Sequence, residues 1–268
     1  MSTVFLSIIT RNHRSPFDYL SKFLNCIDNL DYDKSKITIY INTNNNCDDT
    51  VSILTNWVNT NHSSYKKIIF EHSWFSDIDD MDVRWNAKKL SVMQQVRQKS
   101  LDVCSAEKTE YYFVLDTDNW VEPCTLKYLI AQQKPIVSPF LKDYAERSIY
   151  SNFFNTVNER GCIGGDHDDA GEATKIWRRD TPKLIGTIEV PLVHCCYLIN
   201  CKHINDLSYI GEAGEWEFII FANSARKNKI TQYLCNKRMF GFVRYDTIVN
   251  EETCIELLSN KAKKDNNE

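Results

Sequence analysis

The sequence predicts an α/β protein with a mostly parallel central sheet covered by helices on both faces. Three observations lead to this class. Short apolar segments of strand length alternate with helical segments through the first half of the chain, which favours βαβ units. Most of these strand segments are predominantly apolar, as in strands buried on both faces. Polar residues follow several of them directly, at the position where open α/β sheets bind ligands.

The first half of the chain contains five predicted strands and four predicted helices. The strands are residues 4–10, 37–42, 67–72, 111–115 and 136–140. Ser15 caps the first helix, because Pro16 stands at its first position and an apolar stripe follows, formed by Phe17, Leu20, Leu24 and Ile27. Asp48 or Asp49 opens the second helix, and the other two are predicted near residues 85–104 and 123–132.

The second half is less regular. Residues 155–189 hold most of the glycines and the acidic segment GDHDDAGE, and they show no clear period, which is typical of a long functional loop. A strand is predicted at 190–200, a helix at about 215–228 and a last strand at 230–236. We predict one domain over residues 1–250 and a C-terminal helix or flexible tail over 251–268.

Composition excludes several classes of function. The formal net charge is −4 and no run of Lys and Arg forms a basic stripe, so we expect no nucleic-acid partner. No segment is apolar over the length that spans a bilayer, and the N-terminus lacks the features of a signal peptide. The ten cysteines form no C-x-x-C pairs, which indicates reduced thiols and a cytoplasmic location.

Two carboxylates follow the fourth predicted strand in the segment YYFVLDTDNW. In an extended chain, Asp116 and Asp118 point the same way. Paired carboxylates at the end of a strand suit a hard divalent cation, Mn²⁺ or Mg²⁺, which in turn can hold a diphosphate. The alternative is that Asp118 or Asn119 caps the next helix. The position at the end of an apolar strand in a βαβ array favours the metal interpretation.

Polar residues after the first two strands suit a nucleoside. The first strand–helix turn contains no glycine, so neither a dinucleotide-binding fingerprint nor a P-loop is present. We predict instead that a base and a ribose bind at the two strand ends, through Thr10, Arg11, Asn12, Asn42 and Asn44. The alternative for each asparagine is a simple role in a turn.

Arg97 lies on the inward face of the third predicted helix, four residues from both Met93 and Leu101. A buried arginine needs an anionic partner, and a pyrophosphate beside Asp116 and Asp118 would provide one. Alternatively, Arg97 pairs with a structural carboxylate or extends its charged end to solvent.

The chain from about residue 4 to residue 246 resembles the procollagen galactosyltransferases of glycosyltransferase family 25. The matching segments are TRN (10–12), NTNNNCDDT (42–50), VLDTDN (114–119), PIVSPF (135–140), YSNFF (150–154), VPLVHCCYLI (190–199), IIFA (219–222) and YLCNKRMFGF (233–242). The resemblance implies a GT-A fold, a metal-dependent UDP-sugar donor and transfer with inversion. It also implies galactose as the transferred sugar and hydroxylysine of a collagen-like protein, or a glycan, as the acceptor.

The resemblance also implies roles for individual residues. Asp118 would bind the metal directly, and Asp116 would bind the ribose or the water shell of the metal. Glu217, or failing that Glu215, would be the catalytic base. Donor or acceptor contacts would come from Thr117, Asn119 and His194, and Asn236 would take the place of a third metal ligand.

Departures from the family leave other functions open. The collagen enzymes carry two such domains, a signal peptide and a retention signal, whereas this chain shows one domain and neither signal. A lone copy rich in Asn, Lys and Ile would suit a giant DNA virus, with the protein in the host cytoplasm or the virion, or a microbe with its own surface glycans. The alternatives are a UDP-sugar-binding domain with little transfer, a transferase for another UDP-hexose, and a nucleotidyltransferase.

Overall fold

The computed structural model describes residues 1–12, 19–76, 78, 85–143, 152–158 and 185–244. The strands are β1 (Val4–Thr10), β2 (Ile37–Asn44), β3 (Lys67–Ser73), β4 (Tyr111–Leu115), β5 (Asn119–Val121), β6 (Ile136–Pro139), β7 (Lys142–Asp143), β8 (Phe153–Phe154), β9 (Thr187–Val190), β10 (Leu192–Val193), β11 (Cys196–Asn200), β12 (Gln232–Cys235) and β13 (Gly241–Val243). The helices are α1 (Tyr19–Asp28), α2 (Thr50–Asn61), α3 (Ala87–Glu107), α4 (Thr125–Ala131) and α5 (Glu217–Lys227), with short 3-10 helices at Lys34–Lys36 and Cys201–Asp206.

Eight strands form the central sheet in the order β3-β2-β1-β4-β11-β6-β12-β9. The first four pair in parallel, and β6 pairs in parallel with β12. Strands β11 and β9 run antiparallel to their neighbours. The predicted α/β class with a mostly parallel sheet is therefore confirmed, and the carboxyl ends of β1, β2 and β4 lie at one edge.

Alternating side chains divide the strands between two cores, one on each face of the sheet. In β1, Leu6 and Ile8 point to the face that packs against α1 and α4, where Leu20 and Leu126 are buried. Phe5 points to the opposite face. That second core includes side chains of α3 and α5, so the sheet is covered on both faces, as its continuous apolar strands require.

A smaller sheet of order β5-β13-β7 stands beside the main one. It was missed in the sequence because β5 is three residues long and directly follows the Asp116–Asp118 segment. Gly241 allows β13 to approach β5: its φ is +129°, and a Cβ there would lie 2.0 Å from the carbonyl oxygen of Trp120. Pairing with β13 fixes the position of the chain just after the two carboxylates.

The predicted strand at 190–200 is wrong as a single element. The chain bends at His194 and Cys195, where Cys195 has a φ of +61°, and the two parts join different sheets as β10 and β11. The edge strand β9 (Thr187–Val190) pairs with β12, although residues 187–189 were assigned to the irregular region and only Val190 to the predicted strand. Apolar content alone does not reveal such a bend.

Several predictions fall outside the described residues. These are the cap at Ser15, Pro16 at the start of the first helix, most of the 155–189 loop and the tail at 251–268. Within the described ranges, none of the helices has the length and hydropathy needed to cross a bilayer. Cys104 and Cys201 are close, with their Sγ atoms 3.8 Å apart, and the reduced state of the ten cysteines stays a prediction.

Candidate active site

A cleft of about 480 Å³ opens at the carboxyl ends of β1, β2 and β4. Strand ends provide one wall with Thr10, Arg11 and Asn44, and the segment after β4 provides the next with residues 116–118. Helix α3 closes the other side with Lys89 and Arg97. The cleft therefore lies where ligands bind in open α/β sheets.

The two carboxylates are brought together by a turn rather than by an extended strand. Strand β4 ends at Leu115, and the N–H of Asn119 donates to the carbonyl of Asp116 at 3.0 Å. The extended-chain argument was wrong, although its result holds in that both Asp116 and Asp118 line the cleft. The helix-cap alternative is also wrong, since α4 begins at Thr125.

The turn is held by contacts to two other segments and by one of its own side chains. Asp116 donates its N–H to the carbonyl of Cys195 at 2.9 Å, and Arg244 donates its N–H to the carbonyl of Asp118 at 2.8 Å. The side-chain amide of Asn119 donates to Oδ1 of Asp118 at 2.6 Å. Asn119 thus orients Asp118 and does not line the cleft as a substrate contact.

Burial makes the charged form of Asp118 costly. Desolvation, together with the negative charge of Asp116, raises the pKa of the Asp118 carboxyl to about 7. The nearby cations Arg97 and Arg244 oppose this shift without cancelling it. The negative charge of the carboxylate pair is therefore not fully neutralised by the protein, and a bound cation would neutralise it.

Arg97 is 3% exposed and lies between Asp116 and a third acidic residue, Glu217. Its Nη2 pairs with Oδ1 of Asp116, and its Nε lies 4.0 Å from Oε1 of Glu217. Burial acts to lower the pKa of Arg97, but the charges of Asp116, Tyr197 and Glu217 and the hydrogen bond to Asp116 together outweigh it and raise the pKa well above its ordinary value. Among the described residues, Nη1 of Arg97 has no hydrogen-bond partner. Of the three possibilities for Arg97, the structure shows pairing with a carboxylate.

Glu217 is the first residue of α5 and is buried, whereas Glu215 is half-buried two residues earlier. Burial raises the pKa of the Glu217 carboxyl to about 6, with Arg97 opposing the shift. Within the described part of the chain, Oε2 of Glu217 accepts no hydrogen bond. Glu215 instead accepts from the N–H of Trp216 at 3.0 Å and belongs to the helix start.

Four of the predicted nucleoside contacts lie in the cleft. Thr10, Arg11, Asn12 and Asn44 all line it, and Thr10 Oγ1 lies 3.4 Å from Thr117 Oγ1 across the two strand ends. Asn12 also has a structural role: its φ is +46° and its Oδ1 accepts the N–H of Cys47 at 2.8 Å. The turn and ligand interpretations of Asn12 are thus compatible.

Besides Asn119, three predicted substrate or metal contacts do not line the cleft, namely Asn42, His194 and Asn236. Asn42 was placed at a strand end, but β2 continues to Asn44, and the Asn42 amide donates to Oε2 of Glu71 at 3.2 Å. His194 is buried between the rings of Phe154 and Phe218, with Nδ1 2.7 Å from Cys195 Sγ.

Asn236 follows β12, which stands three strands from β4. At the usual strand spacing this is roughly 14 Å from the carboxylates. Its Oδ1 accepts the N–H of Gly186 at 2.7 Å. A third metal ligand at Asn236 is therefore wrong, because the strand order separates it from Asp118.

Among the residues of the cleft that were missed in the sequence are Trp85 and Lys89. Trp85 directly precedes the cap of α3 and Lys89 lies in its first turn, where Oδ1 of Asn86 caps the helix by accepting the N–H of Lys89 at 3.0 Å. The Asn86 cap was a readable signal for the helix start, but nothing local indicates that this end of α3 reaches the cleft.

The comparisons with known proteins identify the class and the family. The model for the glycosyltransferase family 25 N-terminal domain matches residues 1–256. The chain belongs to this family. It is 30% identical over 254 residues to procollagen galactosyltransferase 2 of Mus musculus. The aligned region covers 90% of this chain and 38% of that protein. It is 24% identical over 254 residues to the inactive glycosyltransferase 25 family member 3 of the same species, over 91% of this chain and 41% of that protein. The chain thus spans about two fifths of the length of these relatives.

Solved structures show the same fold at low identity. Staphylococcus aureus TarS 1-349 in complex with UDP-GlcNAc superposes with a TM-score of 0.56 at 13% identity, over 94% of this chain and 61% of that one. The mannosyltransferase PcManGT of Pyrobaculum calidifontis, in complex with GDP-Man and Mn²⁺, superposes with a TM-score of 0.52 at 13% identity. The match covers 93% of this chain and 58% of that one. The fold is the GT-A glycosyltransferase fold, as the resemblance implied.

Proposed function

We propose that this protein is a metal-dependent, inverting glycosyltransferase that moves a hexose, with galactose favoured, from a UDP-sugar to a hydroxyl group. The acceptor would be hydroxylysine of a collagen-like protein or a hydroxyl of a surface glycan. The observation that carries the proposal is the series of charges that runs from the half-buried Asp118 and Asp116 through the buried Arg97 to the buried Glu217. It brings a candidate cation site and a carboxylate base to the same arginine.

The nucleotide would bind between the strand ends and α3. Thr10, Arg11 and Asn44 offer polar groups for the base and ribose at the carboxyl edge of the sheet. Lys89 and the unpaired Nη1 of Arg97, on α3, offer positive charge for the diphosphate. The family membership and the UDP-bound structural relative support this donor class.

The residues present fit a divalent cation. Asp116 and Asp118 form a half-buried carboxylate pair that lines the cleft with an excess of negative charge, and carboxylates are ligands that Mn²⁺ and Mg²⁺ prefer. Among the described residues, no three His, Cys, Asp or Glu side chains are arranged so that they could hold a metal ion together, so phosphate oxygens and water would complete the shell. When bound, the cation supplies charge that stabilises the leaving diphosphate.

The transfer itself would be a single displacement. The acceptor oxygen forms a bond to C1 of the hexose while the bond from C1 to the diphosphate oxygen breaks, and its electron pair remains on UDP. The acceptor proton passes to the carboxylate of Glu217. Burial holds the pKa of Glu217 at about 6, near the range in which a general base both stays ionised and takes a proton effectively.

The first experiment is a screen of UDP-sugars for Mn²⁺-dependent release of UDP, with water as the default acceptor. We expect UDP-galactose to give the fastest release. Release that is independent of Mn²⁺, or absent with every UDP-sugar, would contradict the proposal. Activity with a nucleoside triphosphate and a sugar phosphate would instead identify a nucleotidyltransferase.

A second candidate is a UDP-sugar-binding domain without transfer. It is favoured by the similarity to a family member that is named inactive. Such a domain would bind UDP with Mn²⁺ in calorimetry and release no UDP from any UDP-sugar. The same screen, run beside a binding measurement, therefore separates the two candidates.

We expect Arg11→Ala and Asn44→Ala to weaken UDP binding about five- to hundredfold, since each leaves a polar ligand group unpaired at about 1–3 kcal/mol. The matched control is Asn42→Ala, because Asn42 lies in the same strand but bonds to Glu71. This control should lower the melting temperature and leave UDP affinity unchanged. The assignment fails if calorimetry shows full affinity in Arg11→Ala and Asn44→Ala.

The turnover number should rise with pH through about 6. Burial raises the pKa of Glu217 from its ordinary 4.5 to about 6, so the base is protonated and inactive below that pH and ionised above it. The measurement is kcat at saturating Mn²⁺ and donor between pH 5 and 8, so that metal binding by Asp118 does not limit the rate. A flat profile would contradict the role of Glu217.

A further inference from the structure

Two tryptophan side chains meet beside the cleft, and the mechanism above does not use them. Trp85 precedes α3 and lines the cleft, and Trp216 immediately precedes Glu217. Their ring centroids lie 5.1 Å apart with an interplanar angle of 59°. The two rings come from positions 131 residues apart, and we call this pair the aromatic corner. It lies between the wall of the cleft that carries Asp116 and Asp118 and the proposed base Glu217.

The corner is exposed on one side and firmly supported on the other. Trp85 is 53% exposed, whereas Trp216 is half-buried and packs on Phe218 at 5.5 Å. Phe218 in turn packs on His194 at 5.1 Å. Trp216 is therefore held in place by a row of rings, while one indole remains open to solvent inside a ligand-sized cleft.

The loop before Trp216 is tied to α3. The side-chain amide of Gln94 donates to the carbonyls of Glu212 and Glu215 at 3.0 Å and 2.8 Å. Gly214 turns the chain with a φ of +84°, and a Cβ there would lie 3.4 Å from Cβ of Ala87. Since α3 carries Arg97 as well, the loop, the aromatic corner and the charged groups are fixed to one helix.

We propose that Trp85 and Trp216 form the subsite for the transferred hexose and favour a ring whose 4-hydroxyl is axial. This inference rests on the proposed function, in which C1 of the hexose lies between the metal side of the cleft and Glu217. An axial 4-hydroxyl leaves the C–H groups of C3, C4 and C5 together on the opposite face of the ring. Such a face carries partial positive charge and packs on the negative face of an indole.

The polar groups next to the corner fit the same ligand. Asp116 and Arg97 lie in the same cleft as Trp85, and they can bond to hydroxyl groups at the edge of a ring whose face rests on the indoles. Sugar recognition requires this combination of an apolar face and polar edges. An equatorial 4-hydroxyl distributes hydroxyl and C–H groups over both faces and loses part of the stacking contact.

The test compares UDP, UDP-galactose and UDP-glucose in Trp85→Ala, Trp85→Phe and the wild type, with Mn²⁺ present. We expect Trp85→Ala to bind UDP normally, because the nucleotide contacts lie at the strand ends. Its affinity for UDP-galactose should fall about three- to tenfold, the usual range for one lost aromatic contact. Its preference for UDP-galactose over UDP-glucose should fall by a smaller factor, because UDP-glucose loses its weaker stacking contact as well. Trp85→Phe keeps a ring face and should retain most of the preference.

Trp74→Ala is the matched control, because Trp74 is 63% exposed and follows β3. Binding is measured by calorimetry, and UDP release with water as acceptor gives a second readout. An unchanged preference in Trp85→Ala would overturn the inference and leave the proposed function intact, and weakened binding of UDP itself would assign Trp85 to the nucleotide. A wild type that binds no UDP would instead overturn the proposed function, and the inference with it.

Discussion

Asp118→Ala should abolish metal-dependent UDP binding. Asp118 belongs to a half-buried carboxylate pair in which desolvation and the charge of Asp116 raise its pKa. The excess negative charge of this pair is what would attract a divalent cation. Without Asp118 the cation would bind too weakly to neutralise the diphosphate, which would then be repelled by the negative charge of Asp116. We expect calorimetry to show that Mn²⁺ no longer increases the affinity of the variant for UDP.

Asp118→Asn tests the same charge without changing the shape. Because burial already disfavours the charged form of Asp118, the variant should melt at or above the temperature of the metal-free wild type, which separates loss of binding from misfolding. Asp102→Asn is the matched control, since Asp102 is exposed on α3 and accepts a hydrogen bond from Gln98. Equal UDP affinity in Asp118→Ala and the wild type, with and without Mn²⁺, would refute the metal assignment.

Glu217→Gln should lower turnover about 10²–10⁴-fold, the usual range for the loss of a general base. The amide keeps the shape of the side chain and removes the proton acceptor. Affinity for the UDP-sugar should be nearly unchanged, because the proposed donor contacts are the strand ends, Lys89 and the carboxylate pair. Steady-state kinetics with saturating donor, together with calorimetry, measure the two quantities separately.

Glu215→Gln is the matched control for this prediction. Glu215 is half-buried and accepts the N–H of Trp216, so its loss should affect the helix start and cost little turnover. The pH dependence near 6 should also disappear in Glu217→Gln and persist in Glu215→Gln. If Glu215→Gln is the inactive variant, the base is Glu215, and if both variants are active, the domain does not transfer a hexose by this route.

The position of Asp116 and Asp118 at the edge of the sheet was predicted correctly, but the reason given for their convergence was incomplete. The apolar strand before it was clear, so the carboxylates were placed at the correct edge of the sheet. Their convergence depends on a turn closed by Asn119 and on the pairing of β5 with β13. Neither is visible locally, because β5 is three residues long and its partner lies about 120 residues later in the chain.

Asn42 and Asn236 show why the wrong predictions failed. For Asn42, the sequence indicated a strand but not its last residue, and two further residues of β2 move Asn42 away from the edge. For Asn236, the end of a strand was predicted correctly, but the position of that strand in the sheet was unknown. Strand order is decided by packing across the whole domain, so two strand ends at the same edge can still be far apart.

The sequence by itself determined the α/β class, most of the helices and strands, and the edge of the sheet that carries the carboxylates. These features depend on hydrophobic period and on local turn chemistry, which neighbouring residues specify. The tertiary structure alone decided that Arg97 joins Asp116 to Glu217 and that Trp85 meets Trp216. Those contacts join segments up to 131 residues apart, and they form because α3 and α5 pack on the same face of the sheet.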